Sequence, residues 1–205
     1  MRSRPIPEET VGRLFGYLRA LLCLANEGVQ TVSSQILAKA SQVKPSTIRK
    51  DFSYFGGFGK RGVGYDVNRL VEEIRSILNL DKLVKVALVG VGNIGKALLM
   101  YSGLRQEGFE IVAAFDSSSD KVGQRIGNVA IEDMGNLEER IEAEGIKVGI
   151  VAVPVSAAPQ VAQRLAKGGV KAILSFAPCP LNMPDDVRVA CVDLATEMAR
   201  LVYYL

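Results

Sequence analysis

The hydrophobic positions of the chain follow different patterns before and after residue 80. Before it, apolar residues recur every three or four positions, and the longest stripe, Val11 to Ala25, predicts an amphipathic helix that Gly28 ends. Shorter stripes predict helices from Ser33 or Ser34 to about Lys39, from Pro45 to Phe55 and from Asp66 to about Asn79. The first 80 residues are therefore predicted to form a helical domain.

Beyond residue 80, short runs of β-branched and other apolar residues alternate with helical segments. The runs predict strands at Val84–Val89, Ile111–Phe115, Val129–Ile131, Val148–Val153, Val170–Leu174 and Arg188–Val192. Strands that alternate with helices predict an α/β fold with a parallel sheet. An apolar helix begins at Asp193 and carries little polar surface, so we expect a partner subunit to cover it.

The loop after the first of these strands has glycines at Gly90, Gly92 and Gly95, the G-x-G-x-x-G spacing. Gly90 allows a sharp turn, Gly92 lets a pyrophosphate approach the backbone, and Gly95 lets the helix pack close to the strand. The free N–H groups of the helix N-terminus favour a bound phosphate. The pattern predicts a Rossmann-like dinucleotide site.

An acidic residue stands where such a site needs one. Asp116 ends the second strand, 26 residues after Gly90, and a carboxylate there accepts hydrogen bonds from the adenosine ribose and repels the 2′-phosphate of NADP. The alternative is an ordinary βαβ unit in which Asp116 merely starts a turn. Lys121 and Arg125 follow within ten residues, so the local charge is mixed although NAD is favoured over NADP.

The two short helices before residue 56 have the arrangement of a helix-turn-helix. On the second, Ser46, Arg49 and Lys50 are polar, whereas Ile48 and Phe52 can face the core. Arginine and lysine on such a helix contact bases or phosphates in a major groove. A basic face that is merely solvated is the alternative.

A glycine-rich segment follows directly, with the sequence GGFGKRGVGY over residues 56–65. It presents Lys60 and Arg61 in its middle, which is typical of the wing of a winged helix. Cations on a wing contact phosphates and bind more weakly as salt rises.

Composition narrows the possible functions. The chain of 205 residues is 48% hydrophobic and 23% charged, and it has no apolar run long enough for a membrane span and no pattern of a signal peptide, so we expect a cytoplasmic protein. Its three cysteines form no C-x-x-C pair and it has no histidine, so we predict no metal site and buried, reduced thiols. The absence of histidine also removes the commonest general acid/base.

Charge is divided unevenly along the chain. Residues 1–80 hold 12 Lys/Arg against 7 Asp/Glu, whereas residues 81–205 hold 13 against 15. A basic first part suggests a polyanionic partner. We predict a DNA-binding domain at 1–80, a nucleotide-binding domain at 81–192 and a dimerisation helix at 193–205.

The chain resembles the Rex family of redox-sensing transcriptional repressors over essentially its whole length. The stretches that carry the resemblance are VSSQILA (32–38), IRKDFSYFGGFGKRGVGYDV (48–67), GVGNIGKAL (90–98), AAFD (113–116) and FAP (176–178). The resemblance implies a winged helix-turn-helix domain, a Rossmann-like NAD(H)-binding domain and a C-terminal helix exchanged between the subunits of a homodimer. It also implies repression through palindromic operator DNA, with release when NADH binds, and no enzymatic activity.

The resemblance assigns a role to individual residues. It places the NADH or NAD⁺ pyrophosphate at Gly90, Val91, Gly92, Asn93, Ile94 and Gly95, the ribose at Asp116, the nicotinamide at Val153, Pro154, Phe176, Ala177 and Pro178, DNA contacts at Ser46, Arg49, Lys50, Lys60 and Arg61, and a switch at Arg19, Tyr101 and Asp193. No residue is assigned to catalysis or to a metal. Ser175 and Ser117–Ser119 depart from the family pattern, which bears on cofactor affinity.

Two other functions stay open at this point. A small NAD-dependent dehydrogenase would have to use Tyr101 or Lys96 for proton transfer, with no substrate domain left in the chain. A CoA-binding or NAD-binding interaction module would use its winged domain to contact protein rather than DNA.

Overall fold

The computed structural model describes residues 6–56, 58 and 64–205. The chain divides into two units between Lys82 and Leu83, two residues beyond the boundary expected from the sequence. No helix of the described ranges is long and apolar enough to cross a membrane.

The N-terminal unit is helical, with one small antiparallel sheet. Its described elements are α1 (Glu8–Asn26), β1 (Thr31–Val32), α2 (Ser34–Ala40), α3 (Pro45–Phe52), β2 (Tyr65–Asp66) and α4 (Val67–Ile77), with β1 paired to β2. Side chains cap two helices: Ser33 Oγ accepts a hydrogen bond from the N–H of Ile36, and Asp66 Oδ1 accepts one from the N–H of Arg69. Helix α3 begins at Pro45 after Lys44, so Ser46 lies inside its first turn.

The core of this unit lies where the helices meet. It contains Leu14, Tyr17, Leu18, Leu21, Leu37, Ile48, Phe52, Leu70 and Ile74. Val11, the first residue of the apolar stripe in α1, and Ile36 of α2 lie outside this core and are more than two-fifths exposed. The polar side chain of Thr10 is buried, because its hydroxyl donates a hydrogen bond to Asp51.

The C-terminal unit is a seven-stranded sheet with helices on both faces. Its elements are β3 (Val84–Val89), α5 (Asn93–Met100), α6 (Gly103–Gln106), β4 (Phe109–Asp116), β5 (Arg125–Ile126), β6 (Val129–Asp133), a 3₁₀ turn (Met134–Asn136), α7 (Leu137–Glu144), β7 (Val148–Val151), α8 (Ala158–Lys167), β8 (Ala172–Ser175), β9 (Arg188–Cys191) and α9 (Leu194–Val202). The strand order is β5-β6-β4-β3-β7-β8-β9, and all pairs are parallel except β5 with β6.

Alternation along the central strand explains the two faces of this sheet. Ala87 and Val89 of β3 belong to one buried cluster, whereas Val86 and Leu88 belong to the cluster on the other face. The chain builds β3, β4 and β6 in one direction and then returns to add β7, β8 and β9 on the opposite side of β3. This is the order of a Rossmann fold, whose ligands bind where the direction reverses, at the carboxyl ends of the central strands.

Three details differ from the sequence expectations. Strand β5 and the short helix α6 were not expected, since each is only a few residues long. The cysteines are free but none is buried: Cys23 and Cys191 are exposed and Cys179 is half-buried.

Candidate functional site

A cleft of about 600 Å³ lies beside the carboxyl ends of β3, β4 and β7. Its lining comes from five places: the end of β3 and its glycine loop, the residues after β4, Met134 of the 3₁₀ turn after β6, the residues after β7, and helix α8. A volume of this size suits a nucleotide ligand. The cleft therefore occupies the position at which a Rossmann sheet binds its ligand.

The three glycines of the fingerprint have three different surroundings. Gly90 has φ +94°, and a Cβ there would lie 2.5 Å from the carbonyl oxygen of Ala152. A Cβ on Gly95 would lie 2.1 Å from the carbonyl oxygen of Gly90, so only glycine lets α5 approach β3 this closely. A Cβ on Gly92 would meet nothing within 4 Å, which leaves its backbone accessible from the cleft.

Asp116 is fixed by three donors at the wall of the cleft. Its Oδ2 accepts hydrogen bonds from the N–H of Val91 at 2.8 Å and from Lys121 Nζ at 2.9 Å, and its Oδ1 accepts one from the N–H of Ser118 at 2.9 Å. Burial raises the pKa of Asp116, but these hydrogen bonds outweigh it and hold the pKa below its ordinary value. The carboxylate of Asp116 therefore stays charged. Val91, whose N–H it accepts, is buried and does not line the cleft.

Helix α8 supplies a wall that the sequence analysis missed. Gln160 and Arg164 line the cleft from this helix. Arg164 Nε donates to Glu138 Oε1 at 2.7 Å, and Arg164 Nη2 donates to the carbonyl of Met134 at 2.6 Å. In the sequence, the sign of this wall is the set of polar residues on α8. A helix face that is merely exposed to solvent shows the same pattern, so the sequence did not identify the wall.

The structure brings together only part of the predicted cofactor site. Gly90, Gly92, Asp116, Val153 and Pro154 line the cleft. Asn93 and Ile94 are exposed at the start of α5.

The predicted residues after β8 do not line the cleft. Ala177 is buried in the core, and Phe176 packs against the other buried cluster. Ser175 fixes this turn, because its Oγ accepts a hydrogen bond from the N–H of Ala177 at 3.2 Å. A nicotinamide role for Phe176, Ala177 and Pro178 stays a prediction.

The helix-turn-helix presents the predicted polar side chains on its surface. Ser46, Arg49 and Lys50 of α3 are exposed, while Ile48 and Phe52 are buried as predicted. Arg49 Nη1 donates to Ser34 Oγ of α2 at 3.1 Å. Lys60 and Arg61 of the predicted wing lie outside the described residues.

A buried carboxylate ties α3 to α1, which the sequence analysis did not anticipate. Asp51 is 1% exposed and accepts hydrogen bonds from Thr10 Oγ1 at 3.1 Å, from Arg13 Nε and Nη2 at 2.7 and 2.8 Å, and from Tyr17 Oη at 2.7 Å. Burial raises the pKa of Asp51, but the bonds from Arg13, Tyr17 and Thr10 lower it below its usual range. The pKa of Tyr17 is raised by burial and by its bond to Asp51.

The three predicted switch residues have separate local surroundings. The guanidinium carbon of Arg19 lies 4.9 Å from the centre of the Phe15 ring. Tyr101 is exposed at the end of α5. Asp193 is the N-cap of α9: its Oδ1 accepts from the N–H of Ala195 at 3.0 Å and its Oδ2 from Thr196 Oγ1 at 2.7 Å. A pairing of Arg19 with Asp193 stays a prediction.

Within the described ranges, no group of three or more cysteine or acidic side chains is placed to hold a metal ion.

Comparison with known proteins agrees with this geometry. One family model, "Putative DNA-binding protein N-terminus", matches residues 5–53, and another, "CoA binding domain", matches residues 81–179. The redox-sensing transcriptional repressor Rex of Chloroflexus aggregans is 45% identical over 204 residues, which are 100% of this chain and 96% of that protein. The Rex repressor of Lactobacillus acidophilus is 44% identical over 205 residues, 100% of this chain and 97% of that protein. The chain belongs to the Rex family.

Solved structures extend the Rex likeness to both units. The Rex-family repressor RSP in complex with β-NAD⁺ and operator DNA has a TM-score of 0.92 and 34% identity over 98% of this chain and 93% of that chain. RSP in complex with β-NADH has a TM-score of 0.86 and 32% identity over 98% and 94%. The predicted combination of an N-terminal DNA-binding domain with a Rossmann-like parallel-sheet domain is confirmed.

Proposed function

We propose that this Rex-family chain is a repressor that binds operator DNA as a homodimer and releases it when NADH occupies the cleft. The observation that carries the proposal is one chain with both sites: a helix-turn-helix with exposed Arg49 and Lys50, and a Rossmann cleft with Asp116 at its wall. RSP, similar in both units, was crystallised with operator DNA and with both forms of the cofactor. A regulator of this kind acts in the cytoplasm.

The residues of the cleft fit a dinucleotide. The accessible backbone of Gly92 and the N-terminus of α5, with Asn93 and Ile94 beside it, hold the pyrophosphate. Gly90, Gly95 and Val91 shape that loop, and Asp116 accepts from the ribose hydroxyls.

The nicotinamide supplies a charge that depends on its redox state, since NAD⁺ carries a cationic ring and NADH a neutral one. Val153 and Pro154 provide apolar surface at the other part of the cleft. An apolar surface accepts a neutral ring more readily than a cation, so NADH binds more tightly than NAD⁺.

Operator binding uses α3, with Ser46, Arg49 and Lys50 reaching the major groove. Lys60 and Arg61 contact the phosphates beside it. The pair formed by Arg49 with Ser34 orients the guanidinium on the helix surface. Release by NADH requires that the two conformations of the dimer differ in NADH affinity, because a ligand that binds both equally shifts neither.

The dimer is proposed from the exposed face of α9. Leu194, Met198, Leu201 and Val202 are each more than 60% exposed, and no residue of this helix is buried. Exposed apolar surface of this extent marks an interaction site. We assign this face to the interface of a homodimer whose subunits exchange α9. In that dimer, Asp193 and Arg19 form an ion pair near Tyr101 in one of the two conformations.

Fluorescence anisotropy of a labelled palindromic operator tests the function. We expect NADH to release the operator at concentrations where NAD⁺ does little. Asp116→Ala should weaken this response to NADH while the cofactor-free protein keeps its operator affinity. Operator binding that ignores both cofactors would contradict the proposal, and hydride transfer to alcohols or 2-hydroxy acids would favour a dehydrogenase.

A further inference from the structure

A lysine lies beside Asp116, the carboxylate that is expected to exclude nucleotides with a phosphate on the adenosine ribose. Lys121 Nζ lies 2.9 Å from Asp116 Oδ2, and Lys121 itself lines the cleft. Its position is held by the turn after β4, where the N–H of Lys121 donates to the carbonyl of Ser118 at 3.0 Å. The ammonium and the carboxylate are therefore presented to the ligand as one pair.

The ion pair with Lys121 reduces the repulsion between Asp116 and an anionic ligand. A bare carboxylate at this place repels the phosphate on an adenosine ribose, whereas a paired one presents a much smaller net charge. Among the described residues that line the cleft, Lys121 and Arg164 are cationic and Asp116 is anionic, so the wall is not negative. Arg164 is already committed to Glu138, which leaves Lys121 as the cation that acts on Asp116.

We propose that Lys121 is a specificity-determining residue of the cleft, whose ammonium offsets Asp116 and weakens the exclusion of nucleotides that carry a phosphate on the adenosine ribose. The inference rests on the proposed function because it concerns the same cleft. Two nucleotides share this chemistry, NADPH with a 2′-phosphate and CoA with a 3′-phosphate. Such a phosphate carries a charge of about −1.5 to −2 at neutral pH, so the loss of one nearby cation affects it far more than NADH.

Lys121→Gln tests the role, because glutamine keeps a hydrogen-bond donor and removes the charge. Lys171→Gln is the matched control: Lys171 Nζ pairs with Asp186 Oδ2 at 2.5 Å in the same unit, and neither residue lines the cleft. Nicotinamide fluorescence gives the dissociation constants of NADH and NADPH, and displacement of NADH compares CoA with dephospho-CoA.

We expect Lys121→Gln to raise the ratio of the NADPH to the NADH dissociation constant by about threefold to tenfold, with NADH affinity changed less than about twofold. The effect should shrink at high ionic strength, which a merely structural role of Lys121 would not explain. Lys171→Gln should leave the ratio unchanged.

The arms of the experiment separate the possible outcomes. If Lys121→Gln selectively loses affinity for NADPH, the phosphate that Lys121 favours is at the 2′ position. If it selectively loses affinity for CoA relative to dephospho-CoA, that phosphate is at the 3′ position. Either result supports the proposal. Equal changes for phosphorylated and unphosphorylated ligands, or no change, would overturn it. If the wild-type protein binds no NADH, the proposed function fails instead, so the two failures are distinguishable.

Discussion

Asp51 offers the sharpest test of how α3, the proposed recognition helix, is held against α1. Asparagine at position 51 has nearly the same shape but no charge, and its amide group would face donors that now meet a carboxylate oxygen. Four hydrogen bonds end on Asp51, two of them from Arg13 and one each from Thr10 and Tyr17. Asp51→Asn therefore breaks a buried ion pair and leaves some of these donors without an acceptor.

The expected cost follows from the burial of the two partners. Breaking a fully buried pair costs about 3–5 kcal/mol, but the Arg13 side chain is 33% exposed and can turn to water. We therefore expect Asp51→Asn to cost about 2–4 kcal/mol, which lowers the melting temperature of an 80-residue unit by roughly 10 °C or more. Tyr17→Phe removes one bond to a charged group and should cost less, about 1.5–3 kcal/mol.

Calorimetry of the full chain, with and without NADH, measures this cost. NADH stabilises only the unit that binds it, so the transition that does not move belongs to the N-terminal unit. Glu73→Gln is the control in the same unit, because Glu73 pairs with Arg69 on the exposed side of α4 and should contribute about 0.5 kcal/mol or less. Operator affinity should fall in Asp51→Asn while NADH affinity stays unchanged.

The same pair predicts a pH dependence. The folded pKa of Asp51 is depressed, so its stabilisation is present above the unfolded pKa of about 3.9 and is lost as the pH falls through the folded pKa. The difference in stability between the wild type and Asp51→Asn should therefore shrink below about pH 4. A difference of less than about 1 kcal/mol at neutral pH, or one that does not change with acid, would refute the reasoning.

Three further predictions test the parts separately. Arg49→Ala should abolish operator binding measured by anisotropy and leave NADH affinity unchanged, whereas Arg69→Ala on α4 should retain operator binding; equal loss of both ligands in Arg49→Ala would contradict the assignment. Gly92→Ala should weaken NADH binding without lowering the melting temperature, while Gly95→Ala should lower both because its Cβ meets the carbonyl oxygen of Gly90, and calorimetry with NADH titration distinguishes the two. Leu201→Glu should convert the dimer to monomer in sedimentation experiments, with Arg200→Glu at the neighbouring position as the control, and an unchanged dimer would remove α9 from the interface.

Sequence patterns predicted the Rossmann part well because its signals are local. The glycine loop, the strand before it and Asp116 lie within one βαβ unit, and their spacing is set by the fold itself. The Asp51 network was missed because Asp51 lies 34–41 positions from its partners Thr10, Arg13 and Tyr17, and three of the four residues look like surface residues in a helical pattern. Hydrophobic periodicity cannot identify a polar side chain that is buried by pairing.

The same limit applies to the walls of the cleft. Lys121 was noted only as a nearby charge, and its contact with Asp116 depends on the turn that follows β4. Gln160 and Arg164 line the cleft from α8, whose apolar residues Val161, Ala162 and Leu165 pack in the core against the sheet. Their pattern in the sequence is that of any amphipathic helix, so the position of α8 had to be known first.

In the proposed switch, cofactor and operator bind different units, so the two binding equilibria must be coupled by a factor that can be measured from either side. If NADH lowers operator affinity by a given factor, operator DNA must lower NADH affinity by the same factor. We expect a factor of about 5–150, measured once by operator anisotropy at saturating NADH and once by NADH fluorescence at saturating operator. Asp116→Ala should weaken NADH binding and leave the factor itself nearly unchanged, since we expect Asp116 to contact the ribose in both conformations of the dimer. An operator-bound protein that binds NADH as tightly as the free protein would show that release does not come from this cleft.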